Sequence, residues 1–303
     1  LLAPATCRQE QFQDVVKLLI RSGANIDAQD DDENTALHTA AQAGDIDMVR
    51  LLISKKARVS VKNDSGKSAL DFACAANKTK VIEHLLKSGA TCEPDAFGRT
   101  ELHEAIQGGC DAEIITLFVS KGVNVNAKDN DGFSKFLCQR SHTLLMLIGA
   151  LHLAAKRGDR EILQTLIDAG AAIDVKSDSG MTLLHEAARG GSAEGMQQIL
   201  SFGVNIEARD EFDMTPLAVA CCDVNGSDEG VRVLLAAGAN IPVVDRYKFS
   251  PLHELANNGR TKAALMLLET GKADLTLRTR NGCSVLAVSY THLRAHETDS
   301  YIV

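Results

Sequence analysis

A period of about 33 residues runs through this chain and restricts its folds more than any other feature. A small pair, usually Gly-Ala, closes each unit: Gly23-Ala24, Lys56-Ala57, Gly89-Ala90, Gly122-Val123, Gly170-Ala171, Gly203-Val204 and Gly238-Ala239, with Ala273 as the last counterpart. Successive steps are 33, 33, 33, 48, 33, 35 and 34 residues. A repeat of this length is one supersecondary unit that cannot bury its apolar face alone, so copies must stack. The 303 residues are therefore counted in repeats rather than in globular domains.

Each unit has the same physical grammar. In T-A-L-H-T-A-A-Q-A-G, Thr35 to Gly44, Thr35 can cap a helix whose Leu37, Ala40 and Ala41 share one face. Gly44 ends that helix, because glycine tolerates the left-handed backbone. Asp45 caps a second helix, Ile46 to Ser54, with Met48, Val49, Leu51 and Leu52 as its bulky face. Val59-Ser60-Val61 is expected to be extended, and Asn63-Asp64-Ser65-Gly66 to turn the chain back to the next cap. Aromatics are only 4% of the chain and Trp is absent. The core must then be Leu, Ala, Ile and Val, which suits closely packed short helices.

These motifs resemble the ankyrin repeat, whose pattern is D-x-x-G-x-T-P-L-H-x-A-A followed by G-x-x-x-V-V-x-L-L-L-x-x-G-A. The match runs from about residue 7 to 288, with seven near-complete units in phase. The resemblance implies an all-α solenoid of helix-turn-helix units with short β-hairpin connections. One domain over 1–288 is expected, with units starting near 1, 30, 63, 95, 129, 178, 211, 246 and 279. The first unit is reduced to an outer helix, Phe12 to Arg21, and a hairpin strand from Asn25 to Ala28, with Leu1 to Arg8 as a worn inner helix.

The pattern fails at two larger places. Residues 135–149, K-F-L-C-Q-R-S-H-T-L-L-M-L-I-G, interrupt a run that would otherwise continue D-G-F-S-A-L-H-L-A-A. They read either as an intervening sequence foreign to the repeat or as a functional loop beside the hairpins. The tail 289–303, S-Y-T-H-L-R-A-H-E-T-D-S-Y-I-V, resembles the translation of a sequencing-library adapter. With the initial Leu, it suggests a fragment of a longer reading frame, and it is set aside from functional reasoning.

Several function classes are disfavoured. The net charge of −8 argues against a nucleic-acid surface. The apolar run Leu144 to Ala155 is too short to span a bilayer. The eight cysteines show no C-x-x-C, which fits unpaired thiols in the cytoplasm or nucleus. Cys74 and Cys221 replace Ala on inner helices, whereas Cys110 and Cys222 lie near inter-helix loops and are expected to be reachable. Five of the nine histidines (His38, His103, His152, His185, His253) share one phase of the repeat, which marks them as architectural rather than as metal ligands. No nucleophile elbow, phosphate-binding glycine loop or H-E-x-x-H occurs. Neither an enzyme, a cofactor, a metal nor a small-molecule substrate is expected.

What varies around the repeat is the candidate surface. Phe97, Phe133, Phe212, Tyr247 and Phe249 stand at hairpin turns expected to be exposed, where aromatics make good anchors. The first tip carries Asp30, Asp31, Asp32 and Glu33, whereas the last two carry Arg246, Lys248, Arg278 and Arg280. That gradient would orient an extended partner. Thr39, Gln42, Ala75, Glu104, Gln107, Lys156, Arg157, Glu186, Arg189, Glu254 and Asn257 form a mixed polar concave face. The expected binding set is Asp31, Asp32, Gln42, Phe97, Gln107, Arg157, Arg189, Phe212, Tyr247 and Phe249. The expected function is a monomeric protein-interaction scaffold, and the alternative is an ankyrin arm of a larger enzyme or channel.

Overall fold

The computed structural model describes residues 5–129, 149–223 and 226–290, with side chains from residue 12 onward. The chain divides into two compact units, Leu1–Gly132 and Phe133–Val303. In the first, α1 (Ala5–Arg21) precedes three helix pairs: α2 (Ala36–Ala43) with α3 (Ile46–Ser54), α4 (Ala69–Ala75) with α5 (Thr79–Lys87), and α6 (Glu101–Gly108) with α7 (Ala112–Ser120). In the second, α8 (Ala150–Arg157) pairs with α9 (Arg160–Asp168) and α10 (Leu183–Arg189) with α11 (Ala193–Ser201). Then α12 (Pro216–Cys222) pairs with α13 (Asp228–Ala236), and α14 (Pro251–Asn257) with α15 (Thr261–Glu269). Residues 285–290 are helical as well, so Ser289 and Tyr290 continue the helix that the repeat pattern ends at Val288.

Inner helices stack on inner helices: α2 on α4 on α6 in one unit, and α8 on α10 on α12 on α14 in the other. Their apolar faces are sealed, with Leu70, Ala73, Leu102 and Ala105 at 0% exposure and Leu184, Ala187 and Leu255 likewise. Outer helices contribute Val49, Ile82, Leu85, Ile115, Leu163 and Leu234, equally buried. Each such side chain removed from water is worth about 1.5–3 kcal/mol. Small residues permit the close stacking. A Cβ at Gly190 would lie 1.7 Å from the carbonyl oxygen of Lys156 in the preceding repeat.

The repeated histidine is the polar counterpart of this stacking. The Thr35 N–H donates to His38 Nδ1 at 3.0 Å, and His38 Nε2 lies 3.1 Å from the Lys67 carbonyl one repeat later. His185 does the same with Thr182 N (3.1 Å) and the Met214 carbonyl (3.1 Å). Nδ1 must accept, so the network assigns the proton to Nε2 and leaves the imidazole neutral. Burial holds the His185 pKa down at about 4.

Unit 1 departs from this rule at two buried carboxyls. Asp71 occupies the histidine position; its Oδ2 accepts from Ser68 N (2.7 Å) and Ser68 Oγ (2.8 Å), and desolvation raises its pKa to about 6. Glu101 fills the first helical position, where Pro216 and Pro251 stand in unit 2. It is 1% exposed, accepts from Glu93 N at 3.1 Å, and is pushed by burial to about 8.

Three expectations are corrected. Ala5–Arg21 is one unbroken helix, so Leu1 to Arg8 contribute no separate inner helix among the described residues; no glycine or turn residue interrupts 5–21. Val59 and Ser60 lie in a turn rather than an extended piece. The connections are tight turns, with β pairing among the described residues confined to isolated bridges such as Arg278 with Ser284. The cause is the turn acid or amide. Asp95 Oδ1, for example, takes the amides of Phe97 (2.8 Å) and Arg99 (2.9 Å), which a strand ladder would need. Residues 135–148 of the interruption and 291–303 of the tail lie outside the described residues. Gly149 takes the N-cap position of α8, with φ −83° and ψ 161°.

Two substitutions test this framework. Glu101 holds its proton in the folded state where the unfolded chain has lost it, so its stability contribution declines as pH rises from about 4.5 to about 8. Glu101→Gln should gain stability over the parent by about 1.4 kcal/mol per pH unit across that window. Denaturant melts at several pH values measure this, and a pH-independent difference refutes it. Lys56 has φ 69° where other units place glycine. Lys56→Gly should therefore stabilise by about 1 kcal/mol, read as a higher midpoint at unchanged slope.

Candidate interaction surface

The turns between repeats form rows, most of the described ones built by one device. A single side-chain oxygen accepts the amides two and four residues later: Asp30 Oδ1 from Asp32 (3.1 Å) and Asn34 (2.7 Å), Asn63 Oδ1 from Ser65 (3.1 Å) and Lys67 (2.9 Å), Asp210 Oδ1 from Phe212 (2.8 Å) and Met214 (2.9 Å). Asp245 Oδ1 repeats it with Tyr247 (2.9 Å) and Phe249 (2.7 Å). These acids are turn-formers, as expected of the type. Neighbouring tips are joined backbone to backbone. Asp64 N donates to Asp32 O (3.3 Å), Ala96 N to Ser65 O (3.1 Å), Glu211 N to Ser179 O (2.9 Å), Arg246 N to Phe212 O (2.9 Å) and Arg280 N to Tyr247 O (2.8 Å). Side chains at the tips are thus presented on a bonded row within each unit.

The expected anchors are less exposed than their turn positions suggest. Phe97, Phe212 and Phe249 are half-buried, and Tyr247 is 39% exposed. The Arg246 guanidinium lies over the Phe212 ring at 5.1 Å, and Phe249 meets His253 edge-on at 5.8 Å. Phe212 is thus covered by a cation of the next repeat, and Phe249 by the imidazole of the helix it precedes. Phe133 lies outside the described residues. Asp31 and Asp32 are exposed.

On the inner helices Thr39, Gln42, Ala75, Gln107, Lys156 and Arg157 are exposed. In unit 1 Gln42 shares a shallow groove of about 220 Å³ with Lys67, Asp71, Phe72, Ala75 and Ala76. Two members of the expected polar face are not surface groups. Glu104 is 3% exposed and pairs with Lys67 Nζ at 2.7 Å, and Glu186 is fully buried. Arg189 is turned inward, 3.8 Å from Glu186 and 3.7 Å from Asp223. Glu254 is half-buried, and desolvation raises its pKa to about 7. Lys67 and Arg99, which meets Glu104 at 3.7 Å and Asp129 at 3.4 Å, carry this ion-pair network and escaped the sequence reading. Their signal was available: both precede a Ser or Thr cap, at the same place in successive repeats.

The remaining chemistry is quiet. Cys74, Cys110 and Cys221 are buried; Cys110, expected near the surface, donates Sγ to the Cys74 carbonyl at 3.5 Å. Cys222 is half-buried in α12, and desolvation pushes its thiol to about 12. Such thiols are poor nucleophiles at neutral pH. Among the described residues no group of three or more His, Cys, Asp or Glu side chains is placed to hold a metal ion, and no helix is long and apolar enough to cross a membrane.

Comparison with known proteins agrees with this geometry. The family model described as "Ankyrin repeats (3 copies)" matches residues 5–95 and 151–245, and that described as "Ankyrin repeat" matches 97–130. The chain is similar to Rabankyrin-5 of Homo sapiens, 30% identical over 167 residues, and of Mus musculus, 31% identical over 166. Each alignment covers 54% of this chain and 13% of the relative, so the chain spans a small part of those proteins. On the capped helix pairs, the repeated imidazole and the matched residues, the chain belongs to the ankyrin-repeat family.

Proposed function

We propose that this protein is a non-catalytic, monomeric protein-interaction scaffold. Its partner is gripped by the tip residues Asp31, Asp32, Phe97, Phe212, Tyr247 and Phe249 and by the inner-helix residues Gln42, Gln107 and Arg157. Ankyrin repeats in general bind proteins. The observation that carries the reading is the division of labour among polar groups. The repeated ones are consumed by helix caps and by bonds between repeats, whereas Tyr247, Asp31, Asp32, Gln42, Gln107 and Arg157 are exposed on bonded rows and packed helices. A surface already ordered before binding loses little entropy on association. The free thiols Cys74, Cys92, Cys221, Cys222 and Cys283 support a cytoplasmic or nuclear setting.

The second reading, an ankyrin arm of a larger enzyme or channel, is favoured by one observation: the chain spans 13% of its curated relatives. Both readings require a partner surface, and one experiment tests that. Affinity capture with the full chain should recover a specific protein that is lost by about tenfold or more on Tyr247→Ala, with the melting temperature unchanged. Equal recovery from both proteins moves the site away from the tips.

A further inference from the structure

The last three turns of unit 2 concentrate positive charge in a chain whose net charge is −8. Arg209, Arg246, Lys248, Arg278 and Arg280 come from three consecutive turns. Arg209, Arg246, Lys248 and Arg280 are exposed. None of the five forms an ion pair with a carboxylate among the described residues. Arg209 bonds the carbonyls of Asp213 (2.8 Å) and Val244 (3.2 Å), Arg278 that of Gly282 (3.0 Å), and Arg246 that of Glu211. Asp210 and Asp245, which begin two of these turns, direct a carboxylate oxygen onto their own turn amides, and Asp210 is buried, so the charges left on the surface are mainly the cations. The three turns hold five cations against the four acids Asp210, Glu211, Asp213 and Asp245, and the third turn, 278–282, carries Arg278 and Arg280 with no acid.

This patch is also held in register. The bonds from Arg246 N to Phe212 O and from Arg280 N to Tyr247 O fix successive turns to one another. Stacking on Phe212 fixes the Arg246 guanidinium, and Tyr247 stands beside it, 39% exposed. Neighbouring repeats lie about 10 Å apart, the packing distance of adjacent helices. An extended chain advances about 3.3 Å per residue. A peptide lying along the turns therefore passes from one cationic turn to the next in about three residues.

We propose that the turns at 209–213, 245–249 and 278–282 bind an extended acidic peptide with a carboxylate at about every third residue, Tyr247 contacting the residues between. This rests on the scaffold reading and names its partner's chemistry. A peptide is favoured over a duplex or a bilayer because the patch is only three turns long. A broad anionic surface would also meet Glu211, Asp213 and the net negative charge of the remaining chain.

The test is fluorescence anisotropy with the full chain and a labelled peptide of Glu-Gly-Ser repeats, read against the same composition with all its glutamates in one block. The spaced peptide should bind more tightly than the blocked one. Lys248→Glu with Arg280→Glu should weaken it by at least about tenfold, whereas Asp31→Asn with Asp32→Asn should not. Both side chains are exposed and unpaired with any acid, so melting temperatures should be unchanged. The proposal is overturned if the charge reversal leaves affinity intact. It is equally overturned if phosphatidylserine vesicles or duplex DNA bind more tightly than the spaced peptide. If Tyr247→Ala abolishes partner capture while the peptide fails to bind, the acidic-partner inference falls and the scaffold reading stands.

Discussion

One imidazole, repeated, joins the local and the long-range structure of this protein. At the third helical position it accepts the N–H of the capping Thr or Ser, as His38, His103, His185 and His253 all do. From its far nitrogen His38 reaches the carbonyl before the next cap, and His185 does likewise. A helix start and a neighbouring repeat are thereby satisfied by a single neutral side chain. Burial makes this conditional on pH. The folded pKa of His185 lies below the unfolded value of 6.5, so its contribution is complete above about pH 6.5 and lost as pH falls toward 4. Asp71 shows the consequence of departing from the rule: it completes the cap but leaves a buried Oδ1 without a bond.

Because the framework consumes its own polar groups, variation has been pushed to the turns and to the outward positions of the inner helices. The turns achieve this cheaply. One side-chain oxygen closes a turn, Asp or Asn in most of the described ones and Ser177 or Thr279 in two, one backbone bond fixes it to a neighbour, and the side chains between are left to vary. Charge on these side chains changes from Asp31 and Asp32 in unit 1 to Arg246, Lys248 and Arg280 in unit 2.

Much of the fold was legible in the sequence because its determinants are local. The spacing of Thr35, Leu37, His38, Ala41 and Gly44 specifies a cap, a face and a stop, and the period of 33 specifies what that face packs on. The histidine phase correctly marked a structural role. What was not legible depended on neighbours in space. The half-burial of Phe212 under Arg246 of the next repeat, and of Phe249 against His253, is not revealed by turn position alone. The burial of Glu104 goes with an ion pair to Lys67, 37 residues away in the chain. The unbroken run of α1 likewise reflects a negative signal, the lack of a stop between Ala5 and Arg21, which is harder to read than a glycine.

The central claim is that the repeated histidine is a neutral tie between repeats and not a functional group. The most direct measurement is the protonation state of His185 followed by nitrogen NMR during a pH titration of the folded protein. The account predicts the tautomer with hydrogen on Nε2 and titration near pH 4. Titration near 6.5, or hydrogen on Nδ1, would contradict it.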